Sequence, residues 1–178
     1  MNDAGLADAS PLVKAFATSP RFAADMMLGS LARWLRILGF DTVFGPDFDD
    51  DALIRQSNAS GRILLTADRA LASRPIARRA VLLPPSRLPE QWQALVRAMP
   101  LLPWVRPFTR CGTCNDPLRS LPRDRARDRV PPHIFDVHGS FLACPSCRRV
   151  YWPGTHRDHI LGRVQRLGAA IGQCPEPR

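Results

Sequence analysis

Two C-x-x-C pairs stand in the last third of the chain. They read CGTC from Cys111 to Cys114 and CPSC from Cys144 to Cys147, with 29 residues between them. A C-x-x-C bends on a tight turn so that two thiolates face one point, and two such knuckles complete a tetrahedral Zn²⁺ site. Two redox motifs do not suit one small domain, and a cytoplasmic setting disfavours disulfides. The expected zinc ligands are therefore Cys111, Cys114, Cys144 and Cys147. A closed four-sulfur site is structural, so this zinc is assigned no catalysis. His156 and His159 have helical spacing, but with four thiolates at hand they suit the surface or the substrate better than the metal. Cys174 is left over and expected to be free.

A second set of residues is acidic. Asp25 ends the apolar run FAAD, the tract DFDDD holds Asp47, Asp49, Asp50 and Asp51, and Asp68 follows the apolar run ILLT. Asp is a favoured N-cap, and each of these acids sits where a helix should begin. Capping does not explain why acids follow three successive strands. Carboxylates brought together repel unless a cation compensates. A hard divalent ion, Mg²⁺ or Mn²⁺, suits an all-oxygen site and can activate water for phosphodiester hydrolysis. Asp25, Asp50 and Asp68 are the candidate ligands and catalytic residues, with Asp50 chosen within DFDDD because it precedes the helical run ALI. Thr66 either orients an acid or merely finishes a strand; the second reading is preferred. Arg33 and Arg36, on the polar side of the first helix, and Arg69, beside Asp68, are candidate substrate contacts. Each could hold a phosphate through its bidentate fork, or simply face solvent.

The elements that must position these groups are legible from periodicity. Residues 1–20 lack firm periodicity and read as a tail. Strands are expected at 21–25, 41–45, 62–66 and 80–83, alternating with helices at 27–38, 50–58, 68–73 and 89–99. The helix at 27–38 carries apolar residues at 27, 28, 31, 34, 35 and 38, and Gly39 stands where a C-terminal cap belongs. This alternation predicts an α/β domain over 21–99, with a parallel sheet and helices on both faces. In such a sheet the ligand crevice lies at the carboxyl ends of the strands, where the acids are. Pro100, Pro103 and Pro107 end it. A small zinc-ribbon domain is expected over 108–160, with a tail at 161–178. Within the ribbon, RSLPRDRARDR is expected as an exposed arm, and His133 and His138 flank a predicted strand. Tyr151 and Trp152 either stack on bases or form the small core.

The net charge is +9, uneven along the chain: residues 101–178 hold 13 basic and 6 acidic residues, against 12 and 10 before them. A basic C-terminal part favours a polyanion, nucleic acid first. Lys14 is the only lysine, and compositional bias toward Arg is the bland alternative. The 45% hydrophobic content excludes a disordered chain. No apolar run reaches the roughly 18 residues of a membrane span. The start MNDAGLADAS is no secretory signal, so a cytoplasmic protein is expected.

In combination these motifs resemble a known family. The run FAADMMLGSLARWLRILGFDTVF, then DDDALI, then GRILLTADRAL, then the paired knuckles ending CRRVYWPGTH, is similar to the Mut-seven C-terminal RNase domain. The resemblance covers about residues 21–160. It implies a Rossmann-like PIN-type fold with an appended zinc ribbon, and metal-dependent cleavage of RNA. It carries Asp25, Asp50 and Asp68 to the family's acidic positions and the four cysteines to its zinc ligands. PIN nucleases often use a fourth acid; here Glu90 is the sole acid between Asp68 and Asp116. The expected activity is endonucleolytic hydrolysis of single-stranded RNA, with the basic ribbon gripping the backbone. The competitors are an inactive RNA-binding module of the same fold, a phosphotransfer receiver and a protein-binding scaffold. The sequence is silent on oligomeric state and leaves room for a regulatory protein partner.

Overall fold

Four short apolar runs become the strands of one parallel sheet. The computed structural model describes residues 18–45 and 49–169; Asp47, Cys174 and most of the expected N-terminal tail lie outside them. In chain order the first part runs β1 Phe22–Ala24, α1 Gly29–Ile37, β2 Thr42–Val43, α2 Asp50–Ser60, β3 Ile63–Thr66, α3 Arg69–Ala72, β4 Ala80–Leu82 and α4 Leu88–Ala98. The sheet order is β2-β1-β3-β4, all parallel. Side chains alternate across it, as the pleat requires. Phe22, Ala24, Ile63, Leu65 and Val81 meet Leu31 and Leu35 of α1 and Trp92, Leu95 and Val96 of α4. Ala23 and Leu64 point to the other face, against Leu53 and Ile54 of α2 and Leu71 of α3. The apolar spacing read from the sequence is therefore the spacing that covers both faces.

Two local features shape the edge where the strands end. Residues Met26–Leu28 form a 3-10 turn before α1, because the Asp25 carbonyl accepts from Leu28 N at 3.1 Å. That turn rotates Met27 out to 62% exposure, a correction to its expected place on the buried face of a continuous helix. At the other end of α1, Gly39 has φ +97°, and an added Cβ would sit 2.7 Å from Thr109 Oγ1. Only glycine fits both the dihedral and the approach. The proline-bearing linker crosses here. Arg106 N donates to Leu38 O and Phe108 N to Ile37 O, each at 2.8 Å, satisfying carbonyls the helix leaves open.

The second part is a three-stranded antiparallel sheet, β5 Arg119–Leu121, β6 Phe141–Ala143 and β7 Val150–Tyr151, in the order β5-β6-β7. Between β5 and β6 come α5 Arg123–Ala126, a 3-10 turn Arg127–Arg129 and α6 Pro132–Val137. The basic tract is thus no free arm. Its Leu121 and Ala126, with Val130 just after it, join Phe135 and Phe141 in a small core, and Arg123 and Arg127 lie over the Phe135 ring at 4.2 and 4.8 Å. The segment between His133 and His138 is helical rather than extended, opened by Pro132 in the first turn. Helix α7, Thr155–Ala169, runs on through the expected start of the tail at 161. Its Ile160 is buried in the core of the parallel sheet, and Arg163 stands 5.2 Å from the Trp34 ring. Among the described residues no helix is long and apolar enough to cross a membrane.

Candidate active cleft and metal centre

The sheet order places the chain's reversal point between β1 and β3, where neighbouring connections leave to opposite faces. Open α/β sheets bind ligands outside the strand carboxyl ends at such a point. Asp25 follows β1 and Asp68 follows β3, so the two acids flank it. A 240 Å³ cleft lies there, lined by Asp25, Asp50 and Asp68 together with Met26, Met27 and Gly45.

The hydrogen bonds show how each carboxylate is aimed. Asp25 N donates to Leu65 O at 3.0 Å, continuing the β1–β3 ladder one residue past the strand. Asp25 is 7% exposed. Its Oδ1 accepts from Met27 N at 2.8 Å, and its Oδ2 accepts from Ala67 N at 3.1 Å and from the Thr66 hydroxyl. The same Thr66 oxygen accepts from Asp68 N at 2.9 Å. Buried Thr66 therefore ties two acids together, so the preferred reading of it as a mere strand end is corrected. Asp68 caps α3 with Oδ1, which accepts from Ala70 N at 2.7 Å and Leu71 N at 3.2 Å; its Oδ2 takes no hydrogen bond among the described residues. In α2, Asp49 caps the helix through Ala52 N at 2.6 Å and Asp51 pairs with Arg74 at 2.5 Å. Asp50 has no side-chain partner among the described residues and lines the cleft. Capping and cleft-facing roles thus coexist: where an Asp both caps and lines the cleft, the backbone amides fix its orientation. Oxygen donors of this kind fit a hard divalent cation.

The four cysteines make a tighter cluster. Among the described residues theirs is the group of metal-ligating side chains whose donor atoms all lie within 4.8 Å of one another, and the acids form no such group. Sγ of Cys111 and Sγ of Cys147 are 3.6 Å apart. Zinc–sulfur bonds of about 2.3 Å imply tetrahedral edges of about 3.8 Å, so this donor set fits Zn²⁺. The two knuckles share one hydrogen-bond pattern. Asn115 N donates to Cys111 O and Cys111 N to Asp116 O; Arg148 N donates to Cys144 O and Cys144 N to Arg149 O. In each, the residue after the second cysteine is left-handed, Asn115 at φ 69° and Arg148 at φ 59°. Burial raises the Cys111 thiol, but the Tyr151 hydroxyl at 3.1 Å and the amides of Cys114 and Thr113 outweigh it and bring it down to about 6. Cys114 is pushed up to about 12, first by its hydrogen bond with Cys147, and burial raises Cys144. One thiolate forms readily and its neighbours resist, which is the state a bound cation resolves.

A family model, the Mut7-C RNAse domain, matches residues 20–164. The chain belongs to that family. No curated protein and no solved structure matches it.

In this Mut7-C RNAse domain the first cysteine knuckle and the parallel sheet are joined by two side chains. Arg36 is only 7% exposed. Its three guanidinium nitrogens donate to Thr42 O at 2.8 Å, Thr113 O at 2.6 Å and Phe44 O at 3.3 Å. Burial lowers its pKa, partly offset first by the nearby Cys111 thiolate. The expectation that Arg36 contacts substrate is therefore corrected: every nitrogen is engaged, and the residue ties α1 and β2 to the first knuckle. Asn115 makes the second tie. Its Oδ1 accepts from Thr42 N at 3.0 Å on the sheet's outer edge, and its Nδ2 donates to Asp41 Oδ1 at 2.7 Å. Arg33 is exposed, with its stem 3.7 Å from where a Cβ on Gly112 would stand. Arg69 is exposed beside Asp68, and neither arginine lines the cleft. Tyr151 holds Cys111, and Trp152 packs on the ribbon core. The residues that sequence reasoning missed are the exposed Met26 and Met27; the one signal was their place directly after Asp25.

Proposed function

We propose that this protein is a metal-dependent ribonuclease that hydrolyses phosphodiester bonds in single-stranded RNA. One observation carries the reading: acids that follow β1, open α2 and follow β3 line a single cleft at the carboxyl edge of the sheet. Membership of the Mut7-C RNAse domain family supports nuclease chemistry. Asp25, Asp50 and Asp68 would hold Mg²⁺ or Mn²⁺, which when bound supplies an activated water and charge stabilisation at the phosphoryl oxygen. Thr66 and the amides of Met27, Ala67, Ala70 and Leu71 keep Asp25 and Asp68 aimed without rearrangement. Met26 and Met27, 54% and 62% exposed, offer an adaptable apolar surface to a nucleobase. Arg33 and Arg69 remain candidate phosphate contacts. The zinc centre holds the fold, and unpaired thiols in its cluster fit a reducing compartment such as the cytoplasm.

The second reading is an RNA-holding module that cuts weakly. Glu90 is exposed on α4 and does not line the cleft, so no fourth acid joins the three among the described residues. Cleavage of end-labelled single-stranded RNA with Mn²⁺, and anisotropy on the same sample, separate the two readings. The Asp25→Asn, Asp68→Asn double variant should cleave about 100-fold or more slower, because metal assistance supplies several kcal/mol, and should still bind. Cleavage that survives in the double variant would reject the mechanism. Wild-type binding without any cleavage would establish the second reading.

A further inference from the structure

The proposed nuclease reading leaves the +7 excess of residues 101–178 without a defined site. Three arginines from separate segments converge beside the second knuckle. Arg119 lies on β5, opposite Ala143 of β6. Arg129 ends the 3-10 turn, and Arg148 follows Cys147. Together with Ala143, Cys144 and Pro145 they line a 430 Å³ cavity. No carboxylate lines it, and among the described residues none of the three arginines has a carboxylate within 4.0 Å. All three are exposed.

Arg148 carries a second, independent observation. Its left-handed φ of 59° is shared by Asn115 in the first knuckle. Asn tolerates that conformation, and here both ends of its side chain are tied to the sheet edge. Arg148 has neither advantage. Its carbonyl accepts from Arg129 Nη2, and its own guanidinium makes no hydrogen bond among the described residues. Glycine would satisfy the turn better. Arg148 lines the open cavity with a guanidinium that has no partner among the described residues, and three such charges with no carboxylate beside them point to an anionic ligand outside the chain.

We propose that Arg119, Arg129 and Arg148 form a phosphate-binding subsite of the ribbon that takes the phosphodiester backbone of single-stranded RNA, outside the acidic cleft. The inference rests on the ribonuclease reading for the identity of its ligand. Guanidinium forks suit phosphate oxygens, and backbone contacts hold a strand in place without reading its sequence.

The test uses the full zinc-loaded chain and a short fluorescein-labelled oligouridylate, read by anisotropy without added Mn²⁺ between about 50 and about 200 mM salt. Replacing all three arginines with Gln should weaken binding at least tenfold and lower the slope of log K against log salt by about 2, since each lost contact with a single-stranded phosphate removes about 0.7. Arg148→Gly should by itself weaken binding while leaving the melting temperature equal or higher, because it removes the charge and the strain together. Zinc content is measured on every variant. Unchanged affinity and slope in the triple variant overturn the proposal, as does a loss of zinc with RNA binding intact, which would assign the arginines to neutralising the thiolates. Failure of the nuclease reading looks different: wild-type RNA binding with no Mn²⁺-dependent cleavage.

Discussion

Replacing Asn115 with glycine isolates the tie between the zinc knuckle and the parallel sheet. Glycine keeps the left-handed turn at φ 69° available, so the loss is confined to two hydrogen bonds. Thr42, itself fully buried on the edge strand, would lose the acceptor of its N–H at 3.0 Å, and an unsatisfied buried amide costs about 1–3 kcal/mol. Asp41 would lose the Asn115 Nδ2 donor at 2.7 Å but keep Arg62 at 2.8 and 3.0 Å, so that loss stays near about 1 kcal/mol. The expected destabilisation is about 2–4 kcal/mol, or roughly 5–15 °C in melting temperature for a chain of this size. Urea unfolding at neutral pH in excess zinc measures it. With Trp152 of the ribbon replaced by Phe in both proteins compared, Trp34 and Trp92, 6.5 Å apart in the sheet's core, report fluorescence from the module opposite the mutation. Asn115→Ala should cost about 1 kcal/mol more than Asn115→Gly, because alanine resists the left-handed turn. If Asn115→Gly changes stability by less than about 0.5 kcal/mol, as distant surface substitutions do, the two modules are not coupled through this residue.

Four further outcomes follow from the same geometry. Burial raises the Asp41 carboxyl, but Arg62, Asn115 and Arg110 outweigh it and leave it below its ordinary value; its contribution is therefore full above the ordinary carboxylate value and lost as pH falls through the lowered one. The stability gap between wild type and Asp41→Asn should shrink on acidification, and a constant gap contradicts this. Arg36→Met should cost about 2–4 kcal/mol by orphaning three carbonyls while leaving the salt slope of RNA binding unchanged; a fall of about 0.7 in that slope would restore Arg36 as a phosphate contact. Thr66→Val keeps the volume but removes the hydroxyl shared by Asp25 and Asp68, so cleavage should fall at least tenfold at unchanged RNA affinity, with about 1–3 kcal/mol of stability lost; unimpaired cleavage would deny Thr66 any positioning role. Chelation should release one zinc per chain, counted with a metallochromic dye, and should lower the unfolding midpoint of the tryptophan core as well as the ribbon; an unmoved core would show that the knuckle ties carry no energy.

Much of this was legible without coordinates, because the signals were local. Short apolar runs placed all four parallel strands, helical spacing placed α1, and Gly39 marked its end. Two C-x-x-C pairs identified the metal cluster, since a knuckle is built within a few residues. Asp50 could be picked from DFDDD by its place before ALI. The misreadings were of residues whose surroundings come from far along the chain. Helical spacing puts Arg36 on the polar side of α1 with Arg33, yet its partner Thr113 is 77 positions away. The basic tract 119–129 carries so many charges that its two core residues, Leu121 and Ala126, were invisible until Phe135 and Phe141 closed over them. Met27 fitted a helical stripe, and one 3-10 turn moved it to the surface.

Residues near one another in the chain set the elements and the donor chemistry of the candidate sites, because apolar spacing, turn residues and side-chain donors act over a few positions. Tertiary structure alone decided the strand order, which brings Asp25 and Asp68 to either side of one reversal point, and the gathering of Arg119, Arg129 and Arg148 beside one knuckle. It also decided that Arg36 is spent on three buried carbonyls while Arg119, Arg129 and Arg148 stay exposed. Those outcomes depend on contacts between distant segments, whose free energies exist only once the chain has closed on itself.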